Sequence, residues 1–119
     1  MKSAYLTWIL TSVLCSSIAH FALKLGALRL NLGGGAADVI LRLGTNGWLI
    51  LGGMLHALAL ALWVIGLKHV ELSVAYPFIA LGFVLVSLLS WLFLSEALSA
   101  ARLIGMLLIA SGVVLIART

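Results

Sequence analysis

Four long apolar stretches, at 4–23, 48–67, 72–94 and 100–117, fill most of the chain and leave mainly brief polar breaks between them. A helix needs about 20 consecutive apolar residues to cross the roughly 30 Å hydrocarbon core of a bilayer, and each stretch is at or near that length. Composition agrees: the 119 residues are 65% hydrophobic and 8% charged, with a mean hydropathy of +1.32. An ordinary soluble domain is under half apolar and about a quarter charged. The fold class that follows is an all-α membrane protein, a single domain (1–119) of four transmembrane helices. Too few residues remain for a soluble catalytic domain, so the function belongs in or beside the bilayer and no catalytic residue is assigned.

The edges of the stretches have the expected chemistry. Lys2, Lys24, Lys68, Arg102 and Arg118 fall at span ends, where long basic side chains keep their stems in hydrocarbon and their charges in water. Trp8, Trp48, Trp63 and Trp91 lie within a turn or two of span ends, as interfacial anchors do. Lys2 before an apolar run, with Ser17, Ile18 and Ala19 resembling a cleavage site, also fits a secretory signal. The length of the run and its polar residues at helical spacing favour a span. The one long connection, 24–47, holds the linker Gly33-Gly34-Gly35 and a segment, 36–43, that fits a short interfacial helix with Asp38 and Arg42 as an i, i+4 pair. No strand precedes the glycines and no Lys-Ser or Lys-Thr follows them, so they do not form a phosphate loop. Ser95 or Ser99 can cap the last helix.

The net charge is +4, from seven Lys and Arg against three Asp and Glu. There is no basic run or basic-aromatic stripe, which speaks against nucleic acid. The single cysteine, Cys15, has no partner for a disulfide and no metal-ligand spacing, so no metal and no cofactor are expected. Four spans place Lys2, Lys68 and Arg118 on one membrane face and Lys24, Arg29, Arg42 and Arg102 on the other, almost without bias. Transporters line their path with two inverted repeats, and four spans with no internal repeat supply only one half. The expectation is a dimer, either a homodimer or a heterodimer with a similar half-size subunit, in parallel or antiparallel arrangement.

Ser12, Ser16, His20 and Lys24 recur every four residues, which places them on one face of the first helix. A charge facing lipid at mid-bilayer is unfavourable by about 3 kcal/mol or more, so that face is expected to line a pathway. The serines alone could instead bond back to their own helix. His56 is a second imidazole within a span, one turn after Gly52 and Gly53. It fits either a proton-responsive group or a hydrogen-bond donor to a carbonyl. His69, in a turn beside Lys68, is expected to be solvated. Tyr76 precedes Pro77, whose missing amide is expected to kink the third helix beside a phenol. Gly105 and Gly112 give the fourth helix a small-residue face suited to a dimer contact. Asp38, Glu71 and Glu96 all lie in loops or at span ends, so no carboxylate stands deep in a span. The groups within or at the edges of the spans, His20, Lys24, Arg29 and His56, suit an anionic headgroup better than a cation.

Ala75-Tyr76, Ser87-Leu88-Leu89-Ser90-Trp91, Ile104-Gly105-Met106 and Gly112-Val113 resemble the last two helices of small multidrug resistance transporters. The chain is also similar to the half-length members of the drug/metabolite transporter superfamily. Ala75-Tyr76-Pro77, Ser95-Glu96 and the polar residue four before Lys24 look closest to the aminoarabinose-phosphoundecaprenol flippase subunits. If Lys24 is matched to the first-helix lysine of the small multidrug family, the family's proton-coupled glutamate falls on Ser16, a departure that argues against drug/proton antiport. In the flippase-like subunits the polar residue before the lysine is a glutamine, and here it is His20.

The resemblance implies a multi-pass transporter or flippase subunit of the bacterial inner membrane. Its expected partners are membrane lipid and a lipid-linked anionic substrate such as a polyprenyl-phosphate sugar. His20, Lys24 and Arg29 are expected to contact the phosphate, and Tyr76 and Pro77 to shape the cavity. The alternatives are a small multidrug resistance-type exporter of organic cations and a non-transporting membrane subunit that stabilises a partner.

Overall fold

A computed structural model describes residues 2–31 and 33–119, with side chains from Tyr5 onward. The side chain of Lys2, an expected anchor, lies outside the described residues. Six helices follow in order: α1 (Lys2–Leu28), α2 (Ala36–Thr45), α3 (Gly47–Leu67), α4 (Leu72–Ala75), α5 (Pro77–Phe93) and α6 (Ala100–Ala117), with no strand among the described residues. Four segments are long and apolar enough to cross a membrane: Tyr5–Leu28, Gly47–Leu67, Leu72–Phe93 and Ala100–Ala117.

Span boundaries differ from the sequence expectation at two places, and the break expected at Pro77 is present. Helix α1 continues to Leu28 rather than stopping at 23, because Leu25, Ala27 and Leu28 favour helix and Gly26, a weak helix former, is buried where α1 passes Leu49 of α3. Lys24 therefore sits inside the last turns of a helix and not in a loop. The third span divides at Tyr76, since Pro77 has no amide to continue the ladder. Tyr76 keeps helical dihedrals (φ −59°, ψ −42°) and its carbonyl accepts from Ile79 N at 3.0 Å, so the chain passes on through one tight turn. The span ends at Phe93, and Ser95 at φ 55° reverses the chain. Ser99, and not Ser95, caps α6 by accepting from Arg102 N at 3.2 Å.

Helix α2 extends to Thr45 and is amphipathic. The Asp38–Arg42 ion pair expected there does not form. Arg42 Nη1 instead donates to the carbonyls of Asn31 and, at 2.8 Å, Gly33, while Asp38 turns toward Gly34. Loop carbonyls with no helical partner attract the guanidinium more than an exposed i, i+4 carboxylate, which is worth only a few tenths of a kcal/mol.

Helices α1 and α3 form the main seam. Gly52, Ala59 and Gly66 are seven residues apart on α3 and all are buried. A seven-residue spacing keeps small residues in line along one helix face. A Cβ on Gly66 would stand 2.5 Å from Ile9 Cδ1, and one on Gly52 would stand 2.7 Å from Leu23 Cδ2 and 3.1 Å from the Ala19 carbonyl oxygen. Between them, Ser12 Oγ donates to Ala59 O at 2.6 Å. Asn46 closes the seam at one end: its Nδ2 donates to Gly26 O (2.9 Å) and its Oδ1 accepts from Trp48 N (3.1 Å), capping α3. Ser12→Ala is expected to lower stability by about 0.6 kcal/mol, the average for one interhelical hydrogen bond in a bilayer, read as a shift in detergent unfolding.

The densest packing lies at the end of the bundle that holds both termini. There Ile9, Val13, Val70, Ala75, Phe78 and Val113 form one buried cluster. Tyr5 stacks on His69 at 4.0 Å, and His69 is exposed in its turn, as expected. Helix α6 rests chiefly on α5 and leaves Leu107, Leu108 and Leu115 about two-thirds exposed. The opposite end of the bundle holds His20, Lys24, Arg29 and the connection between α1 and α3.

Candidate substrate-binding site

The polar stripe on α1 divides along its length. Ser12 is buried in the α1–α3 seam by its bond to Ala59 O, which removes it from any face a substrate could reach. Ser16 is half-buried and donates to Val13 O on its own helix at 3.0 Å. His20 and Lys24 are exposed, and they are the two of the four that carry an ionisable group.

His20 meets His56 of α3 edge to face, with ring centroids 4.6 Å apart and an interplanar angle of 80°. The pair spans the same helix interface as the Ser12 bond, two turns nearer the open end. His56, expected to be either a proton-responsive group or a hydrogen-bond donor to a carbonyl, has the His20 ring as an aromatic neighbour. Lys24 lies one turn, roughly 6 Å, further toward the surface. Its Nζ stands 3.8 Å from Glu96 Oε1, and both side chains are close to half exposed (48% and 42%). An exposed pair of this kind contributes about 1 kcal/mol or less, so an incoming anion can displace the carboxylate. Glu96 comes from the α5–α6 loop and had no assigned role in the sequence reading. Only the tertiary fold shows that this loop returns to the end of α1.

Arg29 turns to a different neighbour. Its Cζ lies 5.8 Å from the centroid of the Trp48 ring at the start of α3. Tyr76 is 63% exposed and Pro77 half-buried, at the terminal end of the bundle beside the buried Ala75 and Phe78. Seventeen residues of helix, roughly 25 Å, separate Tyr76 from Phe93 at the end where Lys24 meets Glu96. The structure thus joins His20 to His56 and Lys24 to Glu96, and sets Tyr76 and Pro77 apart from both. Gly105 and Gly112 of α6 face open space, with no heavy atom within 4 Å of a built Cβ.

What the site can do follows from these groups. One ammonium, two adjacent imidazoles and a weakly held carboxylate line the end of the bundle opposite the termini, while Asp38, Glu71 and Glu96 all lie outside the four spanning segments. That arrangement can bind and release an anion. No buried carboxylate stands ready for an organic cation.

The model of the Small Multidrug Resistance protein family matches residues 36–109. Among curated proteins, the "Probable 4-amino-4-deoxy-L-arabinose-phosphoundecaprenol flippase subunit ArnE" of Pectobacterium atrosepticum is 39% identical over 71 residues, 60% of this chain and 63% of that protein. The subunit of the same name from Pseudomonas paraeruginosa is 42% identical over 71 residues, 60% of each chain. The corresponding subunit ArnF of Sodalis glossinidius is 32% identical over 120 residues, 92% of this chain and 87% of that protein. The matches to the two ArnE relatives thus span about three-fifths of those proteins' length. No solved structure matches.

Proposed function

The chain belongs to the Small Multidrug Resistance protein family and is a multi-pass protein of the bacterial inner membrane, and from that premise we propose that it is one subunit of a flippase. Its substrate is a lipid with an anionic phosphate headgroup, of the undecaprenyl-phosphate sugar class that the names of its relatives describe. The observation that supports this most directly is the set of groups at the Lys24 end: one ammonium and the His20–His56 imidazole pair, with no carboxylate within a span. Lys24 holds the phosphate by exchanging Glu96 for it, and His20 and His56 contact the headgroup one turn deeper. No covalent step is involved, and the protein acts as a carrier and not as an enzyme.

A single chain leaves the path open on one side. Gly53, Gly105 and Gly112 face no neighbour within 4 Å, and the large apolar residues of α6 are exposed. A second copy or a similar half-size subunit packs there and completes the pathway. Tyr76 and Pro77 shape the far end of it.

Proteoliposomes containing the protein, alone and with a related half-size subunit, are expected to move a radiolabelled polyprenyl-phosphate sugar from the outer to the inner leaflet. They are expected not to accumulate a quaternary ammonium compound under a proton gradient. The reverse pattern would replace this reading with cation export, for which the family membership is the one supporting observation. Neither activity in both reconstitutions would leave the role of a stabilising membrane subunit.

A further inference from the structure

Beyond the site at Lys24, the same end of the molecule holds a second basic feature. After α1 the chain crosses to α2 and returns at Asn46 to start α3, enclosing an open cleft of about 700 Å³ whose lining includes Arg29, Asn31, Arg42, Thr45, Asn46 and Trp48. Hydrogen bonds build its walls. Asn46 ties the end of α1 to the first turn of α3 through Gly26 O, Trp48 N and Leu49 N. Arg42 Nη1 fastens the 31–33 segment to α2 through the carbonyls of Asn31 and Gly33.

The two arginines are not neutralised. Among the described residues neither forms an ion pair, and Asp38, one turn before Arg42, turns to Gly34 instead. Among the described residues, Arg29 donates no side-chain hydrogen bond and lies over Trp48, and the hydrogen bonds of the Arg42 side chain are made through Nη1. Two guanidinium groups with free donors, both lining one cleft, match the oxygens of a phosphate better than ammonium groups would.

The depth of the cleft identifies the source of that phosphate. Helix α2 exposes Ile40 (68%) and Leu43 (43%) on the side away from Asp38, Arg42 and Thr45, so it lies along the membrane surface with that side in the acyl chains. Trp48 marks the same level. The cleft then opens where lipid phosphates lie.

We infer that the Arg29–Arg42 cleft binds the phosphate headgroup of a membrane lipid. Binding there requires only the cleft geometry. Its use as a loading position, from which a headgroup passes to Lys24, rests on the flippase reading.

The test uses the full chain purified in a neutral detergent, with bound lipid counted by native mass spectrometry. The probes are phosphatidic acid, diacylglycerol with the same acyl chains, and inorganic phosphate. Phosphatidic acid is expected to be retained and diacylglycerol lost, and Arg29→Ala is expected to weaken retention by about tenfold, the loss of one charge-assisted contact. Arg29→Lys is expected to give an intermediate value, because it keeps the charge and loses the fork. Thermal unfolding of each variant establishes that the fold is intact. Equal retention by the parent and Arg29→Ala, or equal retention of diacylglycerol, overturns the site. Inorganic phosphate displacing the lipid at equal concentration overturns the lipid assignment. Binding is read without translocation, so a negative result here is separable from a failure of the flippase reading.

Discussion

Lys24→Ala is expected to slow translocation of a polyprenyl-phosphate sugar by about two orders of magnitude, the effect of removing one strong ionic hydrogen bond to phosphate of about 3 kcal/mol. Lys24 is the cation closest to the imidazole pair along α1, one turn from His20. It is held only by a half-exposed carboxylate at 3.8 Å, so little stability is lost with the side chain. The fold should survive and the defect should appear in transport. Glu96→Gln provides the opposite change: it frees Lys24 from its competing anion and is expected to tighten substrate binding severalfold while slowing release. Initial rates in proteoliposomes, with substrate affinity measured in parallel, separate the two effects. An unchanged rate in Lys24→Ala, with His20→Ala equally active, would remove this end of α1 from the pathway.

Gly52→Val is expected to destabilise the helix bundle by about 3 kcal/mol, the upper part of the range for overpacking a close contact. A Cβ at Gly52 would come within 3.1 Å of the Ala19 carbonyl oxygen, which is backbone and cannot rotate away. The flexible end of Leu23, at 2.7 Å, can move, but α1 itself would have to shift. Gly53→Val is the internal comparison. Nothing lies within 4 Å of its Cβ position, so the same added volume is expected to change chain stability by less than about 0.5 kcal/mol. Unfolding of both variants in detergent gives the comparison. Equal destabilisation would mean that the α1–α3 contact does not set the value of Gly52, because intrinsic helix preference favours valine over glycine at both positions.

Adjacent glycines with opposite predictions show where sequence reasoning reaches its limit. The pair was legible as a place for helix contact, but which of the two faces α1 depends on the rotation of α3. The seven-residue spacing of Gly52, Ala59 and Gly66 was written in the chain and would have given that rotation. Ser12, Ser16, His20 and Lys24 were legible as one helical face for the same reason of periodicity. Their division into a strut, a self-bonded hydroxyl, an imidazole neighbour and an ion pair was not, because each outcome depends on a different facing element. The Asp38–Arg42 pair failed because local spacing cannot count the unpaired loop carbonyls that compete for the guanidinium.

By itself the sequence determined the membrane as solvent, the four spans and the position of all three acids outside them. Hydrocarbon imposes length and polarity on each segment separately, with no reference to its neighbours. Only the tertiary structure decided which groups meet: Glu96 with Lys24, His56 with His20, Arg29 with Trp48, and Asn46 with the end of α1. Those contacts join residues from 19 to 72 positions apart in the chain, and distances of that kind are set by helix packing, which no local pattern encodes.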